Sequence, residues 1–355
     1  MTRERPGTTA VVGGPRVDDQ AAPGAVLEVR GLTKHFDISR SAGGGRVHAV
    51  DDVDLRIGVG EILGLVGETG SGKSTVAKCI VRLLEPSAGA IFLHGWDIAH
   101  ASGRRLRRAR RAMHMVFQDP FSSLDPRTTV SQLVAEPLRM HRVARGPDLT
   151  RRVDAMLDRV GLAPDVRYRF PHELSGGQRQ RVGLARSLVL EPSLLIADEP
   201  VSALDVSVQA SILNLLVDLQ QRMGFSCLFV AHDLATVEFA CNRVAVMYLG
   251  RIVEEGPREA IFGASRHPYT ASLLSAAPVP DPADQRTRRR IVLRGDIPSP
   301  IDPPPGCRFH TRCPVASLPR CATEAPVLED PTTDGHPVAC HLVGPDGRGP
   351  DLAAQ

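Results

Sequence analysis

The run Gly67-Glu68-Thr69-Gly70-Ser71-Gly72-Lys73-Ser74-Thr75 lies between an apolar, strand-like stretch, Ile62–Val66, and a helix-forming segment from Val76 to Leu84. Few local patterns restrict a fold so tightly. The glycines let the backbone curl until successive N–H groups point at one anion, and the helix start adds a partial positive charge. Lys73 is placed to reach outer phosphates and the Ser74 hydroxyl to ligate Mg2+. Lysine is scarce, with Lys34, Lys73 and Lys78 the only three among 43 basic residues, so composition does not account for the match. The stretch demands a buried strand, a phosphate-binding loop and a helix in that order.

Charge is nearly balanced, 43 basic against 40 acidic residues and a net charge of +3, so no overall field points to nucleic acid. No apolar run approaches the ~20 residues needed to span a bilayer. Residues 1–24 are polar and rich in Pro and Gly, lack the apolar stretch of a signal peptide, and read as a disordered leader. The expectation is a cytoplasmic protein whose membrane association depends on partners. From Val26 the alternating runs Val26–Val29, Leu32–Phe36 and Val47–Ile57 read as strands of a small antiparallel sheet beside a parallel core. The cluster Arg104–Arg111 lacks interleaved aromatic residues, which favours a solvated helix face over a nucleic-acid or acidic-lipid patch. Between Ser131 and Leu162 the apolar period is helical, with Pro137 and Pro147 expected to break the segment into pieces.

Three further strand-like runs end in polar residues: Met113–Phe117 at Gln118-Asp119-Pro120, Leu194–Ala197 at Asp198-Glu199, and Cys227–Ala231 at His232-Asp233. Parallel strands bring their carboxyl ends to one edge, so Gln118, Asp198, Glu199 and His232 are expected to converge on the phosphate loop. The adjacent carboxylates divide labour: Asp198 joins the Mg2+ shell, and Glu199 polarises water as a general base. A second anion-binding helix start is Leu174-Ser175-Gly176-Gly177-Gln178, with Ser175 as N-cap and backbone N–H groups left open by the glycines. One chain rarely needs two such starts for one nucleotide.

In this order, and with the turn Ser202–Asp205, the motifs resemble ABC-type ATPase subunits over about Val26 to Phe262. The resemblance implies an α/β fold: a P-loop NTPase core with a parallel sheet, a small antiparallel β subdomain and a helical insertion, plus a C-terminal Cys-rich extension. The expected boundaries are 1–24 for the leader, 25–265 for the ATPase domain (helical subdomain about 120–190) and 266–355 for the extension. It further implies that two ATPase domains pair head to tail, so that Ser175, Gly176, Gly177 and Gln178 cap ATP held on the partner's loop. ATP and Mg2+ are then held by Gly67–Thr75, with Ser74, Gln118 and Asp198 on the metal, while Glu199, Gln118 and His232 act in hydrolysis. Phe36, which its spacing alone would equally suit to ordinary core, falls where the family places its adenine-stacking aromatic, usually Tyr.

Within that family, Arg251–Gly256, His267-Pro268-Tyr269-Thr270, Val116–Pro120 with Leu124-Asp125-Pro126, and Gly306–Pro314 are similar to the ATPase subunits of oligopeptide/dipeptide importers, whose relatives also move nickel. The implied partners are a second ATPase subunit, a paralogue before a second copy, two transmembrane permeases and an external solute-binding protein. No nucleic acid is expected, and the implied location is the cytoplasmic face of the cell membrane. An importer of nickel or another solute is the alternative. A soluble ABC ATPase acting on nucleic acid or ribosomes is disfavoured by the lack of a second cassette or long coiled coil.

Cys79, Cys227 and Cys241 sit among apolar residues and read as core, whereas Cys307, Cys313, Cys321 and Cys340 crowd the tail. A reducing compartment disfavours two disulfides there. Four thiols can hold zinc or a 4Fe-4S cluster, with His310, His336 or His341 able to replace one, and a loop-rich unit without a staple would hardly fold. The absence of a C-x2-C pair disfavours zinc, and the resemblance, which extends to peptide-importer ATPases carrying a 4Fe-4S cluster at such a tail, favours iron–sulfur.

Overall fold

The computed structural model describes residues 24–39, 44–118, 124–202, 204–277 and 291–352. The leader up to residue 23, Asp119-Pro120 and Ala203 lie outside the described residues. The strands are β1 (Ala25–Asp37), β2 (Arg46–Gly58), β3 (Ile62–Val66), β4 (Ala88–Leu93), β5 (Trp96–Asp97), β6 (Met113–Val116), β7 (Leu194–Asp198), β8 (Ser226–Ala231), β9 (Arg243–Tyr248) and β10 (Arg251–Pro257). One sheet has the order β2-β1-β4-β5 and pairs antiparallel throughout. The other has the order β10-β9-β3-β8-β7-β6, parallel except for the β9–β10 hairpin. The runs Val26–Val29 and Leu32–Phe36 are one strand, β1, whose register against β2 shifts between Val29 and Leu32.

Every residue of β3, β7 and β8 is buried, as continuous apolar runs require when both faces of a parallel sheet are covered. Alternation decides which face each side chain serves. Leu63, Leu65, Leu194, Ile196, Leu228 and Val230 join the core shared with the antiparallel sheet and the helix Lys73–Ile80. Their neighbours Ile62, Val66, Leu195, Ala197, Cys227 and Phe229 face the opposite core, built by the helical segments. Helices Val130–Met140, Gly146–Arg159 and Gly176–Leu188 form those segments. Pro147 opens the second of them, but Pro137 lies inside the first without ending it. One lost N–H bond there is outweighed by the burial of Leu133, Val134 and Leu138 on the same turn. The arginine cluster forms the exposed helix Gly103–Ala112, of which only Ala109 is buried. Arg108 stacks over Trp96 at 5.3 Å, and Arg110 donates to the Arg82 carbonyl at 2.8 Å.

The C-terminal segment is fastened to the parallel sheet's far edge. Glu254 on β10 is fully buried, and its carboxylate accepts the Arg266 N–H at 2.5 Å, the His267 N–H at 3.1 Å and a bond to His336 Nε2 at 2.7 Å. After helix Pro268–Ala276, Phe309 buries its ring against Tyr248 of β9, Tyr269 and His267, with centroids 5.3–5.6 Å apart. The expected boundary after residue 265 therefore falls inside a bonded network. No helix among the described residues is long and apolar enough to cross a membrane.

Candidate active site

The phosphate loop leaves β3 at the middle of the parallel sheet and enters the helix Lys73–Ile80 through Gly72, which has φ +108°. A Cβ at Gly72 would sit 2.1 Å from the Ala49 carbonyl oxygen, so only glycine lets the loop pass β2 this closely. Lys73 is buried, and its Nζ donates to the carbonyls of Gly67 at 2.7 Å and Glu68 at 3.0 Å. Burial pushes its pKa down against the pull of Glu199, Asp198 and Glu68. A cation held inside the loop by weak carbonyl acceptors is available to a stronger, anionic one.

The polar ends of three parallel strands meet this loop. Ser74 Oγ donates to Asp198 Oδ1 at 2.9 Å, pairing a hydroxyl and a carboxylate in the manner of a Mg2+ site. Burial raises the Asp198 carboxyl, while the Ser74 bond and Lys78 oppose the shift. Glu199 follows with φ +47°, its N–H tied to the Val230 carbonyl at 2.9 Å. That left-handed turn aims its carboxylate at the cleft, where Oε2 accepts Gln118 Nε2 at 2.8 Å and lies 3.1 Å from His232 Nδ1. Thr69, Gly70, Gly72, Lys73, Ser74, Thr75, Gln118, Glu199 and His232 line a single cleft, closed on one side by Val47 and Ala49 of β2 and by Pro300.

Other expected residues lie elsewhere. Ser175 caps its helix reciprocally, Oγ accepting the Gln178 N–H at 3.3 Å and Gln178 Oε1 accepting the Ser175 N–H at 3.0 Å, but residues 175–178 do not line the cleft. Phe36 is 38 % exposed opposite Val47 on the neighbouring strand, beside the cleft wall and outside its lining, with Lys34 Nζ 5.0 Å from its ring centre.

Three contacts to the loop region come from the extension, which carries no sequence mark of nucleotide binding. The Tyr269 hydroxyl accepts the Glu68 N–H at 2.8 Å, Arg312 pairs with both oxygens of Glu68 at 2.7 and 3.2 Å, and the Pro300 carbonyl accepts the His48 N–H at 2.8 Å. The only local signal is the pair Arg308 and Arg312, four positions apart between Cys307 and Cys313. Arg308 docks on Asp51 and the Leu249 carbonyl. Asp51 also belongs, with His35 and His48, to a group of potential ligand atoms within 4.8 Å of one another. Its carboxylate is already taken by Arg308 and Arg251, whose charges oppose a cation there.

All four tail cysteines are unpaired in disulfides, and the Cys307 N–H donates to the Cys321 carbonyl at 2.9 Å. Burial, with smaller contributions from Cys307 and Cys321, lifts the Cys313 thiol to about 11, and burial with the other three thiols lifts Cys340 to about 12. No three of them bring their sulfurs within 4.8 Å of one another.

Comparison with known proteins settles the lineage. The chain matches the ABC transporter family over residues 50–202 and the oligopeptide/dipeptide transporter C-terminal region over residues 253–321. It is 51 % identical over 326 residues to the probable peptide ABC transporter ATP-binding protein y4tS of Sinorhizobium fredii, covering 90 % of this chain and 91 % of that one. The chain belongs to the oligopeptide/dipeptide family of ABC transporter ATP-binding subunits. The oligopeptide transport ATP-binding protein OppF of Salmonella typhimurium is 47 % identical, covering 90 % of this subunit and 97 % of its own length. Among solved structures, a dimeric post-hydrolysis ATP-binding cassette bound to ADP and Pi shares 28 % identity with a TM-score of 0.59, covering 65 % of this chain and 98 % of that one. The cbiO1 protein of Clostridium perfringens, part of the cbiONQ transporter complex, shares 31 % identity with a TM-score of 0.58, covering 67 % and 91 %. The ABC subunit is thus an ATPase, with the mixed-sheet α/β fold of its neighbours.

Proposed function

We propose that this subunit powers the import of di- and oligopeptides by hydrolysing ATP at a head-to-tail interface with a second ATPase subunit. The carrying observation is the Glu199 carboxylate, bonded to Gln118 and His232 across the mouth of the phosphate-loop cleft. Lys73 and the loop N–H groups hold the phosphates, and Ser74, Asp198 and Gln118 would hold Mg2+, which when bound would offset negative charge on the phosphates. Glu199 orients and polarises the attacking water, and His232 contacts the γ-phosphate. Ser175 and Gly177 stand outside their own cleft, which supports their serving the partner's nucleotide. The partner is a paralogous ATPase; the two ATPases sit at the cytoplasmic face, two permeases span the membrane, and a solute-binding protein works outside it. Peptide as substrate class follows from the names of the relatives and the C-terminal match. Reconstitution with the permeases in proteoliposomes tests it: peptide-loaded binding protein should stimulate ATP turnover, and stimulation by a nickel-loaded protein alone would replace the peptide reading.

The four cysteines hold a 4Fe-4S cluster in this proposal. A tetrahedral zinc–thiolate site needs sulfurs about 3.8 Å apart, from Zn–S bonds of about 2.3 Å. These four thiols lack the C-x2-C pair common in zinc ribbons, and a multi-iron cluster bound to them would staple a segment with little core of its own. Anaerobically purified protein should be brown and contain about four irons per chain. Colourless protein with stoichiometric zinc would sink the iron–sulfur assignment.

A further inference from the structure

We propose that Arg312, from the C-terminal extension, is a positioning residue of the ATP site, holding Glu68 so that the phosphate loop keeps an anion-binding shape and field. Glu68 is the only acidic residue between Gly67 and Thr75. A loop built to collect phosphates is a poor place for a free carboxylate, which would repel the nucleotide at short range. Arg312 answers that charge directly, with both terminal nitrogens on the two Glu68 oxygens and a side chain only 9 % exposed. The paired geometry fixes direction as well as charge. Its next acceptor, the Tyr248 hydroxyl, stands at 3.5 Å, and Nε has none, so the strong bonds of this guanidinium go to Glu68.

The other groups of Glu68 are also tied. Its N–H donates to Tyr269, and its carbonyl accepts Lys73 Nζ at 3.0 Å and the Ser71 N–H at 3.1 Å. Releasing the carboxylate therefore acts on the residue whose carbonyl seats the phosphate-binding lysine. Arg308 supports the loop indirectly: it docks on the Leu249 carbonyl, and the adjacent Gly250 N–H donates to the Ser71 carbonyl at 2.8 Å. Arg312 thus reaches the loop at Glu68 directly and Arg308 reaches it through Leu249 and Gly250, and Cys307 and Cys313 bracket both in sequence. The extension is in this way part of the nucleotide site, whichever group its thiols hold.

The inference deepens the reading of Gly67–Thr75 as the ATP loop and rests on it. The test uses full-length protein with a fluorescent trinitrophenyl-ATP probe, and the assembled transporter for kinetics. Arg312→Gln should weaken nucleotide binding about tenfold and raise KM with kcat held within about twofold, because the lost interaction supports binding and not the chemical step. Arg312→Lys should retain most of the affinity, and Glu68→Gln combined with Arg312→Gln should return it to within about threefold of the parent, since no carboxylate is left to repel. A merely structural arginine would show no such rescue. Undiminished affinity in Arg312→Gln, or a loss that the double variant does not recover, overturns the proposal. Lys73→Ala run in parallel separates the two levels: if it too binds fully, the loop assignment itself fails.

Discussion

Glu199→Gln is expected to leave MgATP binding intact while lowering turnover by about 10²- to 10⁴-fold, the range for loss of a general base. The substitution keeps the side chain's length and an oxygen able to accept from Gln118, whose bond to Glu199 is 2.8 Å. It removes the charge that polarises water. In the proposed pair of subunits, uncleaved ATP should hold the interface closed, so light scattering should report a stable dimer only when MgATP is present. Unchanged turnover would take Glu199 out of the base role. Lost turnover without an ATP-dependent dimer would leave the base in place and remove the head-to-tail closure.

Gly72→Ala should abolish nucleotide binding, with affinity falling more than about a hundredfold, through backbone geometry alone. The added methyl would lie 2.1 Å from the Ala49 carbonyl oxygen and 2.8 Å from the Met247 methyl, at a φ of +108°. The methionine can swing aside, but the carbonyl belongs to β2 and cannot. The chain must therefore lift the loop off the sheet, displacing Lys73 and Ser74 together. Gly70→Ala is the matched control: φ is +84°, yet no protein atom lies within 4 Å of the new methyl, so the fold itself loses only about 1–2 kcal/mol to backbone strain. Equal losses of probe affinity in the two variants would refute the close-approach explanation.

The candidate cleft was legible because its parts are written at the ends of strands. A buried parallel strand is a visible apolar run, and the residue that follows it is delivered to the sheet's carboxyl edge wherever it stands in the chain. Gln118, Asp198, Glu199 and His232 all obey that rule, and their meeting at Ser74 needs no knowledge of loops. The hairpin of β9 and β10 and the aromatic cluster on Phe309 were not legible. The first breaks the parallel pattern at an edge, and the second depends on which loop folds back on Tyr248. Arg312 meets Glu68 across 244 positions, a separation that no periodicity or local spacing records. Pro137 misled for another reason: tertiary burial of its neighbours overrode a helix-breaking tendency.

The buried carboxylate of Glu254 has a consequence for how the protein comes apart. Its oxygens collect donors from residues 266, 267 and 336, so the sheet edge and the distant tail share one charge that neither can satisfy alone. Peeling the tail away would strand that anion in an apolar setting, and the cost couples the two parts into one cooperative unit. A ribosome releasing this chain near residue 291 would deliver an ATPase domain with an open wound at β10. His336 thus closes a sheet edge that the sequence placed 82 positions earlier.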